Sequence, residues 1–436
     1  MDREGEKTVY RELGRKIDGI VVRAPWNETL HGILRELYTP EEAMLLVKMP
    51  YTLSTTERIA RVSGMNEPRV RRLLEGLCGK GLVIDLWNEQ EARYYYMPSP
   101  MVIGIFEFTM MGRAADVDGK KLAALFHEYF ERFYEANFSN GERMSILRVI
   151  PVEETVDAGG AIEFLDHERV SHIIEEAGRY AIGTCSCRNE KSLLGKKVCD
   201  TPIANCSAFG YGADYTIRYG FAREVSRSEM EENFTRSREM GLVFCADNTK
   251  RMPTVVCHCC KCCCNYLSGL TRFGFTNSVV TSNYLSRVDE SKCTACLRCV
   301  DVCPVNAASL VSSNDAMHPK KRRARIDAGL CVGCGVCVSK CPSAALTMAP
   351  RPKRVIHPES VFERIMLSSL ERGTLQNQIF DDPQSVTQKV MRTVIGAFLR
   401  LDSVRKALVS DLFRSSFLGL MKAGAALQGK GWMTEL

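Results

Sequence analysis

The sequence predicts an α+β protein of several domains, with helix-rich ends, a mixed cysteine-rich centre and a small duplicated unit before a helical tail. Three observations carry this expectation. At 436 residues the chain is long enough for two to four domains of ~100–200 residues each. A twelve-residue cysteine run occurs twice in its last third, and helical periodicity dominates both ends. Boundaries near 100, 180, 285 and 350 divide the chain into segments 1–100, 101–180, 181–285, 286–350 and 351–436.

Apolar residues make up 45% and charged residues 25%, the proportions of an ordinary globular protein with a real core. The net charge of +6 permits anionic partners without arguing for nucleic acid. The N-terminus, MDREGEKTVYRELGRKIDGI, is charged and has no secretory apolar core or cleavage site. No window approaches ~18 uninterrupted apolar residues, so no spanning helix is expected, and peripheral membrane contact is the most the tail allows. Twenty cysteines in such a chain read as metal ligands or redox groups in a cytoplasmic protein, not as disulfides.

Residues 40–100 read as a helix-turn-helix with a wing. TPEEAMLLVKM opens a helix behind Thr39 and Pro40, and STTERIARVSGM begins at Ser54 with Glu57 three residues on, a capping-box pattern. EPRVRRLLEGLCGKG places Val70, Leu73, Leu74 and Leu77 at helical spacing before the stop at Gly79 and Gly81. LVIDLW, the turn NEQE and ARYYYMP form the two strands. The segment resembles a winged-helix domain. Arg69, Arg71 and Arg72 would be its DNA contacts, but Glu67, Glu75 and Asp85 dilute that face, so dimerisation or docking is the preferred use and DNA binding is not expected. Cys78 reads as a packed thiol.

Segment 101–180 connects. GKKLAALFHEYFERFYEANF is an amphipathic helix whose aromatic stripe (Phe126, Tyr129, Phe130, Phe133, Tyr134) reads as core. A strand, a loop, a helix and a second strand then bring the chain to Cys185. His127, His167, His172 and His318 have no partner motif and read as ordinary residues. Beyond residue 350, amphipathic helices interrupted by Lys389, Arg392, Arg400, Arg405, Lys406 and Arg414 suggest a helical cap or a homo-oligomer contact.

The duplicated run is CTACLRCVDVCP and CVGCGVCVSKCP, each C-x2-C-x2-C-x3-C-P, the ligand run of bacterial two-cluster ferredoxins. Three thiolates at this spacing wrap one cubane and the fourth ligates the other. Cys293, Cys296, Cys299 and Cys341 therefore hold one 4Fe–4S cluster, and Cys331, Cys334, Cys337 and Cys303 the second. The insert between the runs carries Lys320, Lys321, Arg322, Arg323 and Arg325, which either dock an acidic electron-transfer partner or form a solvated loop.

Of the twelve cysteines upstream of this unit, ten fall in two clusters. Cys185, Cys187, Cys199 and Cys206, from loop-like sequence with Arg188 beside the first pair, form a candidate third metal site, iron–sulfur or structural zinc. VVCHCCKCCCNY then packs Cys257, Cys259, Cys260, Cys262, Cys263 and Cys264 into eight positions, with His258 and Lys261 as candidate sources of protons or counter-charge. On a strand, Cys257, Cys259 and Cys263 would face opposite to Cys260, Cys262 and Cys264, and on a helix Cys259, Cys260, Cys263 and Cys264 would share a face, so either way two sets of thiols can point at two different things.

Adjacent cysteines of this kind are similar to the Cys-Cys ligand pairs of the heterodisulfide-reductase family, although the full C-C-G motif is missing. Residues 100–430 resemble a group of iron–sulfur proteins of anaerobic bacteria. That resemblance rests on AIGTCSCR, C-D-x-P-x3-C, C-x-C-C-x-C-C-C and the ferredoxin repeat. It implies further iron–sulfur cofactors and an anaerobic cytoplasm, and names no substrate.

The first functional reading is an iron–sulfur oxidoreductase. Low-potential electrons from a partner protein would pass through the paired clusters to a substrate-reactive site among Cys257–Cys264. No Rossmann fingerprint, P-loop or flavin signature supports nucleotide chemistry. The alternatives are a pure electron-transfer protein and a redox-sensing winged-helix regulator.

Overall fold

Capping side chains mark most helix starts in the N-terminal region. The computed structural model describes residues 3–112, 117–139, 142, 144–156, 165–313, 322–410 and 412–436. It begins with α1 (Arg3–Asp18) and α2 (Glu28–Leu37). Thr39 caps α3 (Pro40–Lys48) in a reciprocal box with Glu42. α4 (Thr56–Ser63) is capped by Thr55, one residue later than the sequence suggested. Ser54 instead exchanges backbone hydrogen bonds with Tyr96, which leaves no freedom for a cap. α5 (Glu67–Gly79) leads into the antiparallel hairpin β1 (Val83–Asn88) and β2 (Arg93–Pro98). Cys78 is buried in the core, as a packed thiol should be.

An irregular turn over 101–105 precedes α6 (Phe106–Met111), and α7 (Gly119–Phe138) buries all five residues of its aromatic stripe. The centre is a six-stranded sheet built from β3 (Leu147–Ile150), β4 (Tyr180–Thr184), β5 (Ala204–Phe209), β6 (Ala222–Val225), β7 (Val243–Asp247) and β8 (Val255–Cys259). Its order is β3-β7-β8-β5-β4-β6, and every neighbouring pair is antiparallel. The sheet thus runs through the boundary expected at 180. Between the strands lie α8 (Val170–Ala177), α9 (Ser186–Leu193), α10 (Gly210–Arg218) and α11 (Arg227–Glu239), and α12 (Asn265–Thr271) follows. One sheet face packs Ile150, Phe244, Ala246 and Val256 against Ile173, Ile174, Met230 and Phe234 of α8 and α11. The other face carries thiols.

Next come β9 (Tyr284–Val288), α13 (Arg298–Asp301), β10 (Ala308–Ser312), β11 (Arg322–Ile326), α14 (Val336–Ser339) and β12 (Leu346–Pro350). β9 pairs with β12 and β10 with β11. The tail is α15 (Val361–Glu371), α16 (Leu375–Ile379), α17 (Val386–Leu399), α18 (Asp402–Leu408) and α19 (Arg414–Leu427). No helix among the described residues is long and apolar enough to cross a membrane.

The tail returns to the N-terminal helices. Asp381, 4% exposed, takes both guanidinium nitrogens of Arg58 (2.7 and 2.9 Å) and the Lys430 ammonium (2.6 Å) and also pairs with Thr52 Oγ1. Burial opposes its charge, but the Arg58 and Lys430 bonds prevail and hold the carboxyl well below the usual carboxylate range. This stabilisation is present above the unfolded carboxylate value and is lost as pH falls through the folded one. Asp381→Ala strands two cations, and a loss of about 3 kcal/mol is expected in denaturant unfolding near neutral pH. Unchanged stability would show that the latch is solvated.

Candidate functional site

The last third holds two cradles. One small cavity is lined by Cys293, Cys296, Cys299 and Cys341, and the other by Cys303, Cys331, Cys334 and Cys337. The fourth thiol of each run has crossed to the other repeat, the exchange that two 4Fe–4S clusters require. Left-handed backbone recurs at matching positions, Ala295, Leu297 and Asn306 in the first repeat and Gly333, Gly335 and Ala344 in the second. Such turns aim N–H groups inward. Ala324 N–H donates to Cys293 Sγ (3.3 Å) and Ala307 N–H to Cys303 Sγ (3.1 Å). These donor sets fit 4Fe–4S clusters.

The cradles differ in exposure. Cys296 and Leu297 are exposed at the outer one, which β11 borders through Ala324, and Arg322 and Arg325 are exposed on that strand. The inner cradle is docked, with Val152 N–H donating to the Cys334 carbonyl (3.0 Å) and Ser282 Oγ to the Gly333 carbonyl (2.7 Å). Lys320, Lys321 and His318 lie outside the described residues.

Behind the inner cradle, strand register sets cysteines in a row. Gly183 pairs with Cys206, and Cys245 pairs with Cys257. The pairing of Ser207 with Val256 places Cys206 opposite Cys257. Alternation then puts Cys206, Cys257, Cys245 and Cys259 on one face. Cys185 and Cys187 at the start of α9, and Cys264 at the N-cap of α12, roof this row. Leu267 N–H donates to Cys264 Sγ (3.5 Å), and the Asn265 and Arg188 amides partly oppose the rise that the Cys264 neighbour and burial impose on Cys187 and that burial imposes on Cys185. Two helix N-termini thus favour negative charge here.

Charging these sulfurs without a cation is costly. The Cys264 neighbour and burial push Cys187 far up, Cys257 and burial do the same to Cys206, and Cys245 pushes Cys259 up to about 12. Arg188, fully buried, lies beside Cys185, Cys259 and Cys260. Burial alone would weaken its charge, but these sulfurs outweigh burial and hold it firmly protonated. The inner cradle joins the sheet through backbone: Val152, just past β3, donates to the Cys334 carbonyl, and β3 pairs with β7, which carries Cys245.

Cys206, Cys257 and Cys259 of this row, with Cys185, Cys187 and Cys264, line one end of a cavity of about 380 Å³. Most of its lining is apolar, including Met97, Ile103, Met111, Met252, Ile365 and Met421. Two polar groups reach its thiol end. Glu107 accepts the Gly104 N–H at Oε2 (2.9 Å), and burial raises its carboxyl to about 7. The Tyr266 hydroxyl is buried with no hydrogen-bond partner among the described residues.

Several expectations need correction. Cys199 does not join Cys185, Cys187 and Cys206. Its thiol lies instead with those of Cys260, Cys262 and Cys263, all within 4.8 Å of one another. The six-cysteine block is therefore divided, with Cys257, Cys259 and Cys264 facing the cavity side and Cys260, Cys262 and Cys263 turned to Cys199, although Cys260 also borders the cavity. Cys187 and Arg188 lie on a helix and Cys206 on a strand, where loops were expected.

His258 is no proton source for the thiols. It points to the opposite sheet face, packs on Phe234 and Phe244, and bonds Ser207 Oγ through Nε2 (2.8 Å). Burial lowers it to about 3. Lys261 is exposed on the turn. His127 is not an ordinary residue, because its Nδ1 meets Glu190 (2.9 Å) in a buried network with Lys191 and Asn265 beside Cys187. Cys245 and Glu107 escaped the sequence reading. Only the alternation in GLVFCAD hinted at Cys245, and nothing local marked Glu107.

Residues 292–345 match the family model of a 4Fe-4S dicluster domain. No curated protein and no solved structure matches the chain. The dicluster match agrees with the cradles, so this part of the chain carries 4Fe–4S clusters, with a further cysteine-rich site beside it.

Two outcomes are expected. Cys341→Ser, although it lies in the second run, degrades the cluster of the first, seen as loss of about half of the roughly eight ferredoxin-type irons with the Cys303-side cluster retained by EPR. Loss confined to the second run's cluster would refute the crossing. Glu107, raised when folded, contributes stability that is full below its unfolded value of 4.5 and is lost as pH rises through about 7. Thermal unfolding from about pH 6 to pH 8 should therefore fall more steeply for the native protein than for Glu107→Gln, and parallel profiles would reject that role.

Proposed function

We propose that the chain is an iron–sulfur oxidoreductase that reduces a small apolar substrate at the thiol-floored end of its cavity. The observation that carries this reading is the seating of the inner cradle on the thiol-bearing sheet: Val152, just past β3, donates to the Cys334 carbonyl, and β3 pairs with β7, the strand of Cys245. Cys185, Cys187, Cys206, Cys245, Cys257, Cys259 and Cys264 would supply the ligands of a further iron–sulfur cluster. Such a cluster, when bound, supplies one-electron chemistry.

The protein groups do the rest. The methionine- and isoleucine-rich wall desolvates and orients an apolar molecule. Glu107, poised near neutrality with Oε2 held by Gly104, keeps a proton available at Oε1. Tyr266 offers its unpartnered hydroxyl. A partner protein delivers electrons at the exposed Cys296–Leu297 edge, where Arg322 and Arg325 favour an acidic surface. The N-terminal helices and hairpin are read as a winged helix used for docking. Arg69 and Arg71 are engaged by Glu41 (2.6 Å) and Glu67 (2.9 Å), which disfavours the DNA-binding alternative.

Anaerobically assembled protein should hold about twelve irons with matching sulfide, four beyond the ferredoxin pair. Cys257→Ala should lower the count to about eight and abolish reoxidation of the reduced protein by a small apolar acceptor, with the ferredoxin-type spectra intact. About eight irons in the unaltered protein would leave an electron carrier only.

A further inference from the structure

The four thiols that the cavity does not claim have a geometry of their own. Cys199 Sγ lies 3.9 Å from Cys260 Sγ and 4.0 Å from Cys263 Sγ, and Cys262 Sγ lies 3.8 Å from Cys260 and 3.4 Å from Cys263. Four sulfurs about 2.3 Å from one central ion stand about 3.8 Å apart when the arrangement is tetrahedral. Thiolates around a cubane each bind a different iron and must stand farther apart. No pair is bonded as a disulfide, since all four cysteines are free.

We propose that Cys199, Cys260, Cys262 and Cys263 bind a single tetrahedral metal ion, Zn²⁺ or Fe²⁺, in a closed structural site separate from every cluster. The turn after β8 is shaped for it. Cys264 N–H closes the turn on the Cys260 carbonyl (3.2 Å), which brings Cys260, Cys262 and Cys263 around one point from a four-residue stretch. Cys199 completes the set from the loop ahead of β5. Four protein thiolates fill a tetrahedron and leave no open position, the hallmark of a structural rather than a catalytic ion.

Charge is also provided for. Four thiolates and a dication leave two negative charges, and Arg188 lies against Cys260 while Lys197 donates to the Cys199 carbonyl. Arg188 further bonds the Pro202 carbonyl (3.0 Å), Asn205 and the His258 carbonyl. The ion and Arg188 together pin the loop over 195–203 to the end of β8, and so hold Cys206 and Cys257 in register on the cavity floor.

The site rests on sulfur positions alone and stands apart from the oxidoreductase reading. The full chain, isolated anaerobically with its clusters, should contain one zinc per chain. Its zinc X-ray absorption should show four sulfurs at about 2.3 Å and no metal–metal scattering. In the iron case, iron exceeds sulfide by about one, with the Mössbauer signature of an isolated FeS4 centre. Cys262→Ala should lose that one ion while the ferredoxin-type EPR signals persist. No zinc and iron equal to sulfide in the unaltered protein overturns the proposal, as does a zinc bound through nitrogen or oxygen. Those measurements decide the matter even where the variant does not fold. Failure of the cluster reading shows separately, as total iron near eight with sulfide to match.

Discussion

Burial of sulfur against sulfur is the constraint on which the rest of this chain depends. In and above the thiol row, Cys187 meets Cys264, Cys206 meets Cys257, and Cys245 meets Cys259, with Cys245, Cys259 and Cys264 buried and the other three half-buried. Each ionised thiol makes its neighbour harder to ionise, and burial adds to the cost. As neutral thiols they are poor packing groups set in a row, whereas with a cation every sulfur gains a partner. Two helix N-termini and the Arg188 guanidinium favour the second state, while the Glu107 and Glu190 carboxyls nearby oppose further negative charge on Cys206 and Cys187.

The same constraint explains the two-sidedness of the sheet. Its cysteine face needs donors and counter-charge, while its other face packs Phe234 and Phe244 around His258, whose Nε2 meets Ser207 Oγ and whose Nδ1 has no partner among the described residues. His258 thus insulates the thiol row from behind and takes no part in its chemistry. Neutral imidazole costs least in this place, which agrees with its lowered pKa.

Most of the framework was legible because its signals are local. Thr39-Pro40-x-Glu42 caps a helix wherever it is placed, and the aromatic spacing of α7 allows only one buried stripe. The crossed ligands of the dicluster unit follow from the C-x2-C-x2-C-x3-C-P spacing alone. The grouping of the other thiols was not legible, because it depends on strand register. A shift of one residue between β7 and β8 would turn Cys245 away from Cys257. Cys199 reaches Cys260 across a sequence distance that no spacing rule covers. Ser54 lost its cap role to Tyr96 for the same reason, a long-range backbone pairing overriding a local preference.

The two ferredoxin repeats differ where they should if one cluster faces inward and the other outward. Both need left-handed backbone at matching positions, and the first meets this with Ala295 and Leu297, the second with Gly333 and Gly335. Conformation alone does not demand glycine, since an alanine and a leucine manage it in the same motif. Packing does. A Cβ at Gly333 would overlap the Tyr284 carbonyl and Ser282 Oγ, and one at Gly335 would strike Thr155 Oγ1. Those atoms belong to the segments that seat the second cradle against the central sheet. Leu297, at the position equivalent to Gly335, is 46% exposed and meets no such wall. The substitution pattern between two otherwise similar runs therefore records which cradle is packed against the central sheet, the glycine-bearing one, and which faces outward, the leucine-bearing one.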